Sequence, residues 1–224
     1  MPPRIPPPHS AEARRRRQRR EARRAILDAT EALMVEAGGE FTIRRLAAGC
    51  GYTAPTIYHH FGDKEGLVDA LLEERFARLL ARVRRVELGS DDRENLRRML
   101  HAFLRFGRQN PAFYRLLLAG AGKGRDRTPP SAEAAQAILG APLAALEQGG
   151  RLRAADGEVA GQALWALLYG LTALEVSRPD YAWAPDLVPV AVDAMLRGLV
   201  AEEADAAGAA GAPARVARRD GVRR

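Results

Sequence analysis

Thr53-Ala54-Pro55-Thr56-Ile57-Tyr58-His59-His60-Phe61-Gly62-Asp63-Lys64 reads as a short helix delimited at both ends. Thr53 carries the hydroxyl of an N-cap, and Pro55 falls in the first turn, where its missing N–H costs nothing. Ile57 and Phe61, four residues apart, make an inward stripe and leave Thr56, His59 and His60 facing out. Gly62 stops this helix and Asp63 caps the next. Just upstream, Thr42 caps a helix whose Ile43, Leu46, Ala47 and Cys50 fall at i, i+3, i+4 and i+7. Gly51 suits the left-handed residue that ends it.

Two short helices joined by a tight turn form a helix-turn-helix, in which the first braces on a DNA backbone and the second enters the major groove. Three features narrow this pattern. They are the amphipathic helix of Ala25, Ile26, Ala29, Leu33 and Ala37, the run Phe41-Thr42-Ile43-Arg44-Arg45-Leu46-Ala47, and Thr56-Ile57-Tyr58-His59-His60-Phe61 followed by Gly62-Asp63-Lys64-Glu65-Gly66-Leu67. Together they resemble the DNA-binding domain of the tetracycline-repressor (TetR) family of bacterial transcription regulators. The resemblance runs from about Ala22 to Leu72. It implies an all-α chain: an N-terminal three-helix helix-turn-helix domain, then a C-terminal helical ligand-binding and dimerisation domain. The hydrophobic pattern agrees on fold class, since no segment alternates with period 2.

Composition bounds the rest. The 224 residues are 47% hydrophobic, enough for a substantial core. Cys50 is the one cysteine, so no internal disulfide forms and a reducing cytoplasm is the expected compartment, with nucleoid association when DNA is bound. No apolar run adjoins the arginine-rich N-terminus as a secretory signal requires, and the longest apolar stretch, Ala163 to Leu174, is too short to span a bilayer. The net charge of +7 divides into +6 for residues 1–85 and +1 for 86–224. A cationic head attracts phosphate without reading sequence.

The expected organisation is a basic disordered arm over residues 1–20, a DNA-binding domain over 21–66, an effector-binding and dimerisation domain over 67–203, and a flexible basic tail over 204–224. Prolines at positions 2, 3, 6, 7 and 8 and self-repulsion from Arg14 to Arg20 argue for disorder, although the arginine run can instead continue helically into the first helix. As an arm it lies on phosphates or enters the minor groove; otherwise it is a solvated extension. A long helix from Lys64 to about Arg85 links head to body. Further helices are expected over Asp91–Gln109, Pro111–Ala119, Ser131–Gln148 with a bend or interruption near Pro142, Gly157–Val176 and Asp186–Glu202. A mobile loop is expected between Gly120 and Pro130.

Candidate DNA-contacting residues are Thr42, Arg44, Thr53, Ala54, Pro55, Thr56, Tyr58, His59, His60 and Lys64. Arg44, Pro55, Thr56 and His59 are placed for base edges, with Arg44 equally suited to phosphate. Thr42, Thr53, Tyr58, His60 and Lys64 are placed for phosphates. Ala54 offers only apolar contact, for instance to a thymine methyl. A partly buried Tyr58 and solvated histidines are the plainer alternatives. Adjacent histidines point about 100° apart and Cys50 faces inward, so no metal is expected. Gly120-Ala121-Gly122-Lys123-Gly124 lacks the Ser or Thr of a phosphate loop, and no cofactor is expected.

In the C-terminal half, the helix around Ala163–Leu174 is apolar on every side, which implies cover from its own core and from something else. Candidate dimer contacts are Leu164, Leu167, Leu168, Leu171, Leu187, Ala191, Ala194, Met195 and Gly198, because the resemblance implies that the last two helices pair with their copies in a four-helix bundle. The resemblance also implies a small-molecule pocket, for which Phe103, Phe106, Phe113, Tyr114, Trp165 and Tyr169 are candidates, with ordinary core as the alternative role for each. Few ionisable groups interrupt these stretches, so an apolar or aromatic effector is expected. The expected function is a homodimeric, ligand-responsive repressor on a palindromic double-stranded operator. The alternative is a DNA-binding or protein-interaction module regulated without a ligand. No paired acids, bases or nucleophiles converge as an enzyme requires, and no membrane partner is expected.

Overall fold

Side-chain caps set the helix boundaries at the amino-terminal end. The Thr42 hydroxyl accepts from the Arg45 amide at 3.2 Å, Thr53 from Thr56 at 3.4 Å, and the Asp63 carboxylate from Gly66 at 2.7 Å. Each satisfies an amide that has no partner inside its own helix. Gly51 and Gly62 adopt φ of 74° and 82°, where a side chain is strained. These local signals deliver the helix-turn-helix as read from the sequence.

The computed structural model describes residues 9–37, 40–118, 128–153 and 156–202, which form ten helices and no strand. They are α1 (His9–Glu36), α2 (Ile43–Cys50), α3 (Ala54–Phe61), α4 (Lys64–Val83), α5 (Asp92–Gln109), α6 (Pro111–Leu118), α7 (Pro130–Ala137), α8 (Gly140–Gln148), α9 (Gly157–Ser177) and α10 (Leu187–Leu199). In the head, α1 packs on α2 and α4, and α3 bridges α2 and α4. Ile26, Leu27, Leu46, Ile57 and Leu67 close this small core with at most 1% exposure. The 20 residues of α4 extend about 30 Å and carry the chain into the body. There α5 is the hub, against α4, α6, α8, α9 and α10, with Leu96, Leu100, Phe103 and Leu104 sealed inside.

Several expectations are revised. The Arg14–Arg20 run is helical, since α1 begins at His9. Ion pairs one turn apart, Glu12–Arg16 at 2.6 Å and Arg17–Glu21 at 2.7 Å, offset part of the arginine self-repulsion. The interruption expected near Pro142 lies at Ile138–Leu139, between α7 and α8. A proline ring collides with the carbonyl four residues before it, here that of Ile138, so the break forms upstream and Pro142 opens α8. α10 ends at Leu199, short of Glu202, because Val200 turns extended and pairs with Leu152. Arg153 N–H to Leu199 O at 2.7 Å and Ala201 N–H to Arg151 O at 2.8 Å flank that bridge. α9, at 21 residues, is long and apolar enough to cross a membrane, although its longest unbroken apolar stretch is not. It packs instead on α5, α6, α8 and α10. Most of the loop expected between Gly120 and Pro130, the first eight residues and the tail lie outside the described residues.

Candidate functional site

The α3 backbone presents Ile57 inward at 0% exposure, and this decides where its other residues point. Thr42, Arg44, Thr53, Pro55, Tyr58, His59 and Lys64 are exposed, whereas Ala54, Thr56 and His60 are half-buried. All ten candidates thus remain accessible across α2, α3 and the start of α4. Tyr58 keeps 48% of its surface, which fits both a phosphate contact and the partly buried alternative. The Thr56 hydroxyl lies 2.9 Å from that of Thr53, which stiffens the front of α3. The Lys64 ammonium sits 4.9 Å from the Phe41 ring centroid, a cation–π contact that leaves it at the surface. Gly66 is required one turn on, because a Cβ there would collide with the Phe61 carbonyl and crowd the Asp63 carboxylate.

Two residues of this region were not read from the sequence. The Arg23 guanidinium on α1 lies 5.4 Å from the Phe61 ring centroid. Burial first, then the charges of Arg19, His59 and Arg23, push the His60 imidazole below the usual histidine range. The signal for both was the α1 register, since Arg19 and Arg23 precede Ile26 and Thr30 by seven residues and share their face. Among the described residues no group of three or more His, Cys, Asp and Glu side chains gathers around a metal-sized space.

The aromatic residues of the body divide. Phe103 meets half-buried Trp165 edge-to-face at 5.3 Å, and Phe113 meets Phe106, Tyr114 and Phe76 at 6.3, 5.5 and 5.1 Å. Phe76 joins this cluster unforeseen. Burial raises the Tyr114 phenol to about 12, against a smaller opposing effect from its hydrogen bond with Thr172. Tyr169 is a correction: it is 48% exposed on the outer side of α9 and does not join these rings. Of the candidates, Phe106 borders a cleft of about 310 Å³ with Arg78, Arg82, Arg85, Gln109 and Asn110.

The dimer candidates also divide. Leu164, Leu168 and Leu171 are buried within the chain, at 0%, 2% and 7% exposure, and so face its own core. The opposite side of α9 is uncovered and apolar, with Val159, Ala166, Tyr169 and Leu174 exposed and Leu167 half-buried. On α10, Ala194 and Gly198 are exposed, Leu187, Ala191 and Met195 are half-buried, and Val190, missed in the sequence, is 55% exposed. Apolarity all round α9 concealed which face was which. The two helices contact each other, and exposed Gln162 and Arg197 interrupt this otherwise apolar face.

Family comparisons bear on both halves. Residues 26–71 match the model described as bacterial regulatory proteins, tetR family, and residues 96–202 match a tetracyclin repressor-like C-terminal domain. The chain belongs to the TetR family. The boundary between the two matches falls across α4 and the start of α5. Solved structures give the same fold for this TetR-family chain. A TetR-family transcription regulator from Marinobacter aquaeolei VT8 superposes with a TM-score of 0.66 at 21% identity, covering 83% of this chain and 100% of that one. The PfmR regulator of Thermus thermophilus gives 0.60 at 23%, covering 77% and 97%. NalD of Pseudomonas aeruginosa, the secondary repressor of the MexAB-OprM multidrug efflux pump, gives 0.55 at 25%, covering 82% and 98%. No curated protein matches the chain in sequence. As a TetR-family transcription regulator, the protein binds DNA through its helix-turn-helix head.

Proposed function

We propose that this TetR-family regulator is a ligand-responsive repressor that binds a palindromic operator as a homodimer. The observation that carries the reading is the uncovered apolar face of α9 and α10, opposite the α9 residues committed to the protomer core. An exposed surface of this kind marks an interaction site, and pairing two copies over it is the arrangement that gives the protein two reading heads. Within each head, Arg44, Pro55, Thr56 and His59 read base edges with Ala54 in apolar contact, while Thr42, Thr53, Tyr58, His60 and Lys64 hold phosphates. Residues 21–66 act as the head and 67–203 as the effector and dimerisation body, joined through α4.

The repressor reading also draws on NalD, itself a repressor, at 25% identity over most of both chains. The effector is apolar or aromatic and enters beside the Phe103, Phe106, Phe113, Tyr114 and Trp165 rings, tilting α4 and with it the head. Coupling of this kind is typically about 1–3 kcal/mol between effector and operator. The test is selection of binding sites from a random duplex library with full-length protein, followed by titration of the recovered site with and without a panel of aromatic ligands. An inverted repeat released by at least one ligand supports the proposal. Equal affinity under every ligand that binds the protein points to regulation without an effector.

A further inference from the structure

We infer that the first three turns of α1 form a second DNA-contacting element, a cationic helix that grips phosphates flanking the sequence read by α3. The inference rests on the DNA-binding reading above and extends its footprint. Ile26, Leu27, Thr30 and Met34 are the α1 residues sealed into the head core, at 0 to 3% exposure. Traced upstream at helical spacing, the same stripe becomes Arg23, Arg20, Arg19 and Arg16. The stripe changes from apolar to cationic where the head ends, and every residue from Ala11 to Glu21 is exposed.

Its direction is given by one ring contact with the reading helix and by the charge that α1 brings to His60. Arg23 lies against the Phe61 ring, and Arg19 is near enough to His60 to lower its proton affinity. α1 therefore passes the carboxyl end of α3 near Phe61 and His60, and continues past it by about 1.5 Å per residue. A groove about 12 Å wide is walled by phosphates, so a helix running beside its occupant meets that wall. Residues 11–24 hold eight arginines against Glu12 and Glu21. Glu12 pairs with Arg16, Glu21 with Arg17 on the opposite side, Glu74 with Arg23 and Asp28 with Arg24, which leaves Arg19 and Arg20 with no carboxylate partner among the described residues. An exposed helix that keeps this net positive charge is complemented by a polyanion with regular spacing.

The test compares wild type with Arg16→Ala/Arg19→Ala/Arg20→Ala, all at exposed positions, on the selected duplex and on the same duplex trimmed to the inverted repeat. The triple variant is expected to lower the slope of log affinity against log salt by about 0.9 per lost contact. Trimming the flanks weakens wild type and leaves the variant unchanged, and a triple Arg→Lys variant restores the slope. An unchanged slope with equal response to trimming overturns the inference while leaving the head reading intact. Failure of wild type to select any duplex instead overturns the reading on which it rests.

Discussion

Arg75 on α4 donates to Glu31 on α1 at 2.6 Å while only 3% of its own side chain is accessible. Asp28 accepts from the same guanidinium at 2.7 Å, and Glu74 lies 3.4 Å away. Burial disfavours the charge, but the hydrogen bonds that Arg75 donates to Glu31 and Asp28 outweigh it and hold the guanidinium more firmly protonated than usual. This cluster ties the first helix of the head to the helix that enters the body. Removing one partner of a buried pair strands the other's charge. Glu31→Gln is expected to destabilise the protein toward the low end of about 3–5 kcal/mol, since half-exposed Asp28 remains as a partner. Denaturant unfolding of the full chain measures this, and a change below about 0.5 kcal/mol contradicts it.

His60 gives a pH dependence. Its proton affinity is lowered in the folded chain by burial and by Arg19, His59 and Arg23. The unfolded chain therefore binds that proton first, so stability falls as pH drops below about 6.5 toward the lower folded value. With His60 held on a phosphate, as proposed, the sign reverses on DNA, because phosphate favours the cation. Operator affinity should rise as pH falls from about 7.5 to about 5.5, by at most about tenfold per pH unit for each proton taken up. His60→Gln flattens the profile, as fluorescence anisotropy at fixed salt would record.

Gly107 on α5 faces Thr172 on α9 closely. A Cβ on Gly107 would stand 2.5 Å from Thr172 Cγ2 and 3.2 Å from Tyr114 Cε2. Thr172 is β-branched, 1% exposed and hydrogen-bonded to Tyr114, so it has little freedom to yield. Gly107→Ala should cost about 1–3 kcal/mol from overpacking, only partly offset by about 1 kcal/mol of helix propensity. Adding Thr172→Ser removes the colliding methyl and should recover most of the loss. A thermal melt in which the single variant equals or exceeds wild type contradicts the contact.

The outer face of α9 and α10 should be sensitive to charge. Val190→Glu with Ala194→Glu places two carboxylates on an apolar surface without touching the core residues Val188, Val192 and Leu196. The variant should sediment as a folded monomer and lose more than tenfold in operator affinity. A dimer of unchanged affinity would move the interface elsewhere.

Within the head, Arg44→Ala or His59→Ala should relax base preference. Lys64→Ala should weaken all sequences alike and reduce the salt slope by about 1. Competition between the selected site and scrambled duplexes separates the two behaviours, and a uniform loss for all three substitutions removes the division of labour.

The head was legible because its signals are local. Thr42, Thr53 and Asp63 cap through amides three residues on, and Gly51 and Gly62 end helices by backbone conformation alone. In the body, helix positions were readable but faces were not. Leu164 and Leu174 lie on one helix and are equally apolar, yet the first is sealed in the core and the second is 45% exposed. Only the packing of α5, α6 and α8 against α9 distinguishes them. The α1 extension was ambiguous because charge repulsion opposes a helix while ion pairs one turn apart and continuity with a packed segment favour it. Tyr169 was misassigned for the same reason as the leucines, since an aromatic on an all-apolar helix carries no mark of its direction.

The central claim is that two copies of this chain hold their reading heads one turn of duplex apart. Sedimentation equilibrium of full-length protein on its selected duplex tests it most directly. The expected result is two protomers per duplex, bound to half-sites whose centres lie about 34–36 Å apart. A single protomer bound at full affinity to one half-site would contradict it.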